Sequence, residues 1–68
     1  MDAEKLRPGE IFVSDGKLYV KTEVISDVWG NPYDLVCLTT GEHNHSELGF
    51  PSPRKATLDD IKQLIKEL

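Results

Sequence analysis

Glu10-Ile-Phe-Val-Ser-Asp-Gly-Lys-Leu-Tyr-Val-Lys21 decides how this chain folds. Two short runs rich in β-forming residues flank Asp15-Gly16, a dipeptide suited to a two-residue hairpin loop. Such a loop needs positive φ at both central positions, which Asp tolerates and Gly accepts freely. The loop length sets the register, so Val13 lies across from Leu18, Ile11 from Val20 and Phe12 from Tyr19. Aliphatic side chains then share one face of the hairpin and the two aromatic rings share the other. Both faces are apolar, and one must go inside. The aliphatic face matches Leu35, Cys37 and the apolar stripe of a C-terminal helix, which leaves Phe12 and Tyr19 half-exposed beside Lys17 and Lys21.

Working outward, residues 1–7 are mostly polar and leave room for a helical turn before Pro8-Gly9 punctuates the entry to the first strand. Beyond Lys21 the second strand continues through Thr22, Glu23, Val24 and Ile25, because β-branched residues at this density favour extended structure. Residues 26–32, Ser-Asp-Val-Trp-Gly-Asn-Pro, are a loop of turn formers around the single Trp29. The apolar run at residues 33–40 predicts a third strand inside the sheet, and Thr40-Gly41-Glu42 a tight turn. Residues 43–48 are expected to return as a fourth strand. Gly49 to Pro53 interrupts regular structure, since each proline lacks a donor and pushes its predecessor toward extended backbone. Arg54-Lys55-Ala56 supplies a brief fifth strand or an extended lead-in.

The C-terminus carries the plainest helix signal. Thr57 reads as an N-cap with Asp60 three positions into the first turn, and Asp59 and Asp60 both complement the positive end of the helix dipole. Leu58, Ile61, Leu64, Ile65 and Leu68 recur at spacings of three and four, with Lys62, Gln63, Lys66 and Glu67 away from them. A helix of about three turns is marginal alone in water, so this one requires a surface to pack on. The predicted fold class is α+β, a single domain over residues 1–68. Its sheet is small, strongly bent and antiparallel, or an SH3-like barrel, of four to five strands with one C-terminal helix.

Sixty-eight residues are close to the lower limit for a chain held by one hydrophobic core. The hydrophobic share of 38% with 29% charged residues is that of a folded soluble chain rather than a disordered one. Cys37 is the only cysteine, so it cannot form an internal disulfide. Flanked by Val36 and Leu38, it reads as a small buried hydrophobe in a reducing compartment. Residues 1–5 hold no apolar signal-peptide core, and no stretch approaches the roughly twenty apolar residues of a membrane span. A cytoplasmic location is the expectation, without membrane association.

A net charge of −4 argues against nucleic acid as the partner, because nonspecific affinity comes from Lys and Arg neutralising phosphates. Catalysis finds little support. Cys37 lies in an apolar run where a reactive thiolate is disfavoured, the Asp59-Asp60 pair is explained by capping, and no phosphate-cradling glycine loop is present. His43 and His45 share a face if their segment is a strand, but two imidazoles fall short of the three or four ligands a zinc site takes. Neither an enzyme nor a cofactor is therefore expected.

Two surfaces remain as partner-binding candidates. Lys17, Tyr19 and Lys21 alternate on one strand face with Phe12 beside them, an arrangement that would serve a nucleic-acid-associated barrel through backbone contacts and base stacking. Trp29, Tyr33 and Phe50 lie in or beside loops, where aromatics either close a thin core or anchor a partner. The need for large side chains in a small core favours the closing role. The helix stripe could instead meet a second copy, giving a monomer or a homo-oligomer joined through that helix.

Leu6-Arg-Pro-Gly-Glu-Ile-Phe-Val13, Asp15-Gly-Lys-Leu-Tyr-Val-Lys-Thr22 and Leu38-Thr-Thr-Gly-Glu42 together resemble small β-barrel-like proteins of unknown function encoded in phages and prophages. The resemblance covers about the first two thirds of the chain. Those proteins usually end in a short strand, whereas a helix stands here. The resemblance implies an SH3-like or similar small barrel and a phage origin. The function expected is a nonenzymatic protein-binding module, an accessory or host-takeover factor that binds and can inhibit a host protein. The alternatives are the nucleic-acid-associated barrel and a homo-oligomeric structural or assembly subunit.

Overall fold

Five antiparallel strands form one open sheet in the order β4-β3-β2-β1-β5, with a C-terminal helix outside it, in a computed structural model that describes residues 2–67. β1 (Ile11–Ser14) and β2 (Lys17–Ser26) are the predicted hairpin. Their register pairs Ile11 with Val20, Phe12 with Tyr19 and Val13 with Leu18. At its turn Asp15 and Gly16 have φ of 51° and 74°, the left-handed conformation that selects this dipeptide. β3 (Pro32–Cys37) lies beside β2, and β4 (His43–Asn44) beside β3. β5 (Arg54–Lys55) pairs with the free side of β1. β4 and β5 remain separate edges, so the sheet does not close into a barrel.

The aromatic face, expected to be half-exposed, is the more deeply buried one, while on the aliphatic face Leu18 is buried and Ile11, Val13 and Val20 are half-buried. β3 pairs with β2 so that Tyr19 faces Cys37, Lys21 faces Leu35 and Val20 faces Val36. Leu35 and Cys37 therefore share a side with the aromatic rings, not with the aliphatic face. A shift of one residue in register exchanges every inward and outward side chain of a strand, and hairpin chemistry alone does not set the β2/β3 register. Phe12 is 0% exposed and packs with Tyr19, Leu35, Cys37 and Ala3, with Leu6 and Phe50 against them. The Phe12 and Tyr19 rings stack at 5.1 Å. Phe50 meets both, at 5.4 Å edge-on to Phe12 and 4.9 Å to Tyr19. Such pairs are worth about 0.5–1.5 kcal/mol each beyond the area they bury.

Two single-turn 3-10 helices help close this face. The first, Ala3–Lys5, begins where the Asp2 carboxylate accepts from the Glu4 N–H, and it buries Ala3. The second, Ser46–Leu48, replaces most of the expected fourth strand, which ends at Asn44. His45 acts as its N-cap: Nδ1 accepts from the Glu47 N–H at 3.2 Å, and local side-chain capping of this kind competes with strand pairing. β3 likewise stops at Cys37 rather than Thr40, because the Gly41 N–H donates to the Cys37 carbonyl and turns the chain. The Phe50-Pro51 segment is tied down by the Ser14 hydroxyl, which donates to the Pro51 carbonyl at 2.6 Å.

α1 (Leu58–Glu67) has the predicted cap. The Asp60 N–H donates to Thr57 Oγ1 at 3.3 Å, and the Thr57 N–H donates to Asp60 Oδ2 at 2.7 Å. Arg54 adds a two-pronged contact to the same carboxylate at 2.7 and 2.9 Å, joining β5 to α1. Leu64 and Gln63 line a cleft of about 170 Å³ with Val13 and Leu18, so the helix lies against the aliphatic face. None of its described residues is buried, and Leu58 and Ile65 point largely to solvent. Leu68, the last member of the predicted stripe, lies outside the described residues. Among the described residues, no helix is long and apolar enough to cross a membrane.

Candidate partner-binding surface

Polar residues inside the aromatic face explain how the far half of β2 is held out in solvent. Lys21, expected beside Phe12 and Tyr19 on an exposed strand face, is buried. Its Nζ donates to Asp34 Oδ2 at 2.7 Å and to the Ala3 carbonyl at 3.2 Å. Asp34 also accepts from the Ser46 N–H at 2.7 Å and from the Ser46 hydroxyl at 2.6 Å. Burial alone would raise the Asp34 pKa. The hydrogen bonds from Lys21 and Ser46, aided by the Lys21 charge, overcome that and pull it from 3.8 down to about 2. The Lys21–Asp34 pair thus joins β2, β3 and both 3-10 turns, and no buried side-chain polar atom among the described residues lacks a partner.

At this point the β2/β3 ladder slips. Lys21 pairs with Leu35 but Ile25 pairs with Tyr33, so four steps on β2 match two on β3. The extra residues form a bulge, a device that bends a strand and re-aims the residues beyond it. Consecutive burial of Asp34 and Leu35 on β3 marks the same irregularity. Past the bulge the β2–β3 hairpin projects with Val24, Ile25, Val28 and Trp29 all exposed.

The tip is rigidly built. Asp27 Oδ1 accepts from the backbone N–H groups of both Trp29 and Asn31 at 2.9 Å. The Asp27 N–H donates to the Asn31 carbonyl, and the Gly30 N–H to the Asp27 carbonyl. Gly30 has φ of 81°, so glycine is what allows the chain to reverse there. Val28 and Trp29 are 88% and 81% exposed on this clamped turn. Asp27 is not among the residues that the sequence singled out. Its signal is nonetheless legible in Asp27-Val-Trp-Gly-Asn31, since an aspartate two residues before a loop amide is the sequence mark of an Asx turn.

The candidate residues therefore separate. Phe12, Tyr19 and Phe50 meet in the core, with burial raising the Tyr19 hydroxyl pKa. Phe12 and Tyr19 do not serve as an outer binding face because the β2/β3 register turns them inward. Phe50 has the core-closing role. Lys17 is exposed at the start of β2, whereas Tyr19 and Lys21, which follow it on the same strand face, are buried, so the three do not form an exposed row. Tyr33 is half-buried, and its ring stacks on His43 at 4.1 Å and 7°. Trp29 has no closing role: the aromatic core is assembled without it. His43 and His45 are occupied separately, by the Tyr33 ring and the Glu47 amide.

Comparison of the chain with protein-family models, with characterised proteins and with solved structures returned no match.

Proposed function

We propose that the protein is a nonenzymatic protein-binding module whose anchor is the Val28-Trp29 tip of the β2–β3 hairpin. The observation that carries this reading is a tryptophan 81% exposed on a turn held by four hydrogen bonds. Fully burying a large apolar side chain is worth about 1.5–3 kcal/mol, and here that gain is left for a partner to collect. Clamping the turn beforehand removes part of the ordering cost of association. Tryptophans in such positions are enriched among the residues that dominate binding energy. In the setting implied by the phage-protein resemblance, the partner is a host protein and the module an accessory factor encoded by the phage.

The test compares affinity capture from bacterial lysate by the wild-type chain and by Trp29→Ser, with both shown to be folded. A protein retained by the first and lost by the second supports the reading. Identical capture profiles remove it.

Self-association through α1 is a second reading, favoured by the exposure of Leu58 and Ile65. Light scattering on a dilution series separates the two: a dimer that Ile65→Lys dissolves would support it.

A further inference from the structure

β1 covers β2 only as far as Lys21, where the Lys21 N–H donates to the Glu10 carbonyl and the Gly9 N–H to the Lys21 carbonyl. β2 then runs on for five residues, 22–26, about 17 Å at the usual rise of a strand. β3 borders this overhang at Ile25 and Ser26, but among the described residues no strand lies on its other side. Residues 23–26 are all exposed. The other two edges of the sheet differ. β4 and β5 are two residues long, and β5 consists of Arg54 and Lys55 just after Pro51 and Pro53. Shortness, cations and proline are the usual protections of an edge, whereas the overhang offers Val24 and Ile25.

Beside the overhang lies a trough made of two shallow grooves, of about 520 and 280 Å³, that share Glu4, Ser46 and Glu47. The larger reaches Thr22, Glu23 and Val24, and the smaller reaches Phe50 and Pro53. Every exposed charged residue lining the two is acidic: Asp2, Glu4, Glu23 and Glu47. Lys21, the one lysine or arginine among the lining residues, is buried and satisfied by Asp34. Arg54, Lys55, Lys62 and Lys66 belong to β5 and α1 instead.

We infer that the overhang of β2 accepts an added strand from a partner protein, and that this strand is an extended cationic segment running on into the acidic trough. Backbone groups of the free edge supply the pairing. Ile25, on the face away from the trough, supplies apolar contact to alternate side chains of the incoming strand, and on the trough side, where Val24 lines the larger groove, the acidic rim selects lysine and arginine at the others. Strand addition here rests on the protein-binding reading, and it gives the Trp29 tip a position at the end of the same ladder.

The test is an amide NMR titration of the full chain with a seven-residue peptide alternating lysine and valine. Two controls accompany it, a glutamate–valine peptide and a lysine–valine peptide N-methylated at alternate amides. Shifts confined to residues 22–26 and the trough, present with the lysine peptide and absent with both controls, are the expected result. Affinity should fall about fivefold in Glu23→Lys/Glu47→Lys, the scale of losing favourable rim charges, and fall again with added salt. Absence of shifts, equal binding of the glutamate peptide, or equal binding of the N-methylated peptide each overturns the proposal. So does concentration-dependent self-association through residues 22–26 without peptide, which would assign the edge to a second copy. Peptide binding that persists in Trp29→Ser while lysate capture is unaffected by that change removes the anchor but leaves the edge. Loss of capture without peptide shifts does the reverse.

Discussion

Lys21 Nζ and Asp34 Oδ2 lie 2.7 Å apart with both side chains buried, on strands whose slipped register throws the next hairpin into solvent. Breaking a buried pair by removing one partner leaves an uncompensated charge and typically costs about 3–5 kcal/mol. Lys21→Met is expected to destabilise the fold by about 3 kcal/mol, read from urea unfolding, and Lys21→Met/Asp34→Leu to recover a substantial part of that loss. A single-variant loss under about 1 kcal/mol would mean that water takes over the role of Lys21.

Acid should expose the same contact. The native state holds the Asp34 carboxyl at about 2 against 3.8 when unfolded. The native state thus favours the carboxylate, and its stabilising contribution is complete above the unfolded value and lost as pH falls through about 2. The shift corresponds to at most about 2 kcal/mol. Urea midpoints followed downward from about pH 6 should therefore drop more steeply for the wild type than for Asp34→Asn, whose side chain does not titrate. Parallel curves would contradict the assignment.

Trp29 touches no part of the aromatic core, so Trp29→Ser is expected to change unfolding free energy by no more than about 0.5 kcal/mol. Its fluorescence should be that of water-exposed indole and quench readily with acrylamide. A blue-shifted, shielded emission in the monomer would show that the residue is covered.

Phe50 is the contrasting aromatic. Its ring lies 5.4 and 4.9 Å from Phe12 and Tyr19, over the one face that is fully closed. Phe50→Ala opens a gap above both rings and is expected to cost about 2 kcal/mol, less than a fully buried phenylalanine because Phe50 is half-exposed. Thermal unfolding checks it, and an unchanged midpoint would show that the loop carries no stability.

α1 is anchored mainly at its start. The Arg54 guanidinium beside Asp60, together with the Thr57 amide, holds the Asp60 carboxyl far below the usual carboxylate range, and no described helix residue is buried. Amide exchange in α1 should be faster than in β2 and β3, reporting local opening below the global unfolding free energy. Asp60→Asn should lower helical circular dichroism while leaving the Phe12 core intact. Equal protection of helix and sheet would show that the aliphatic face grips α1 more tightly than its exposure implies.

Local signals are readable wherever the determining contacts lie within a few residues. Asp15-Gly16 specifies the first hairpin and its register, and Thr57 with Asp60 specifies the helix start, because φ preference and capping need no distant partner. The fourth strand stops at Asn44, short of its expected length, because His45 and Glu47 offer a local cap as an alternative to pairing. The projecting tip is only half legible. Asp27 to Asn31 announces a turn, but whether Trp29 covers a core or meets solvent depends on a core completed elsewhere.

By itself, then, the sequence determined an α+β chain with a hairpin whose two faces are aliphatic and aromatic, and a capped amphipathic helix at the end. Only the tertiary structure decided which face goes inside. Hairpin chemistry relates Phe12 to Tyr19, but the pairing of Tyr19 with Cys37 and Lys21 with Leu35 is a long-range register, and one residue of slip would have inverted it. That register buries Phe12 and Tyr19 and turns Lys21 toward Asp34. Together with the adjoining bulge, it leaves Val24, Ile25 and Trp29 in solvent, where the chain has most to gain from a partner.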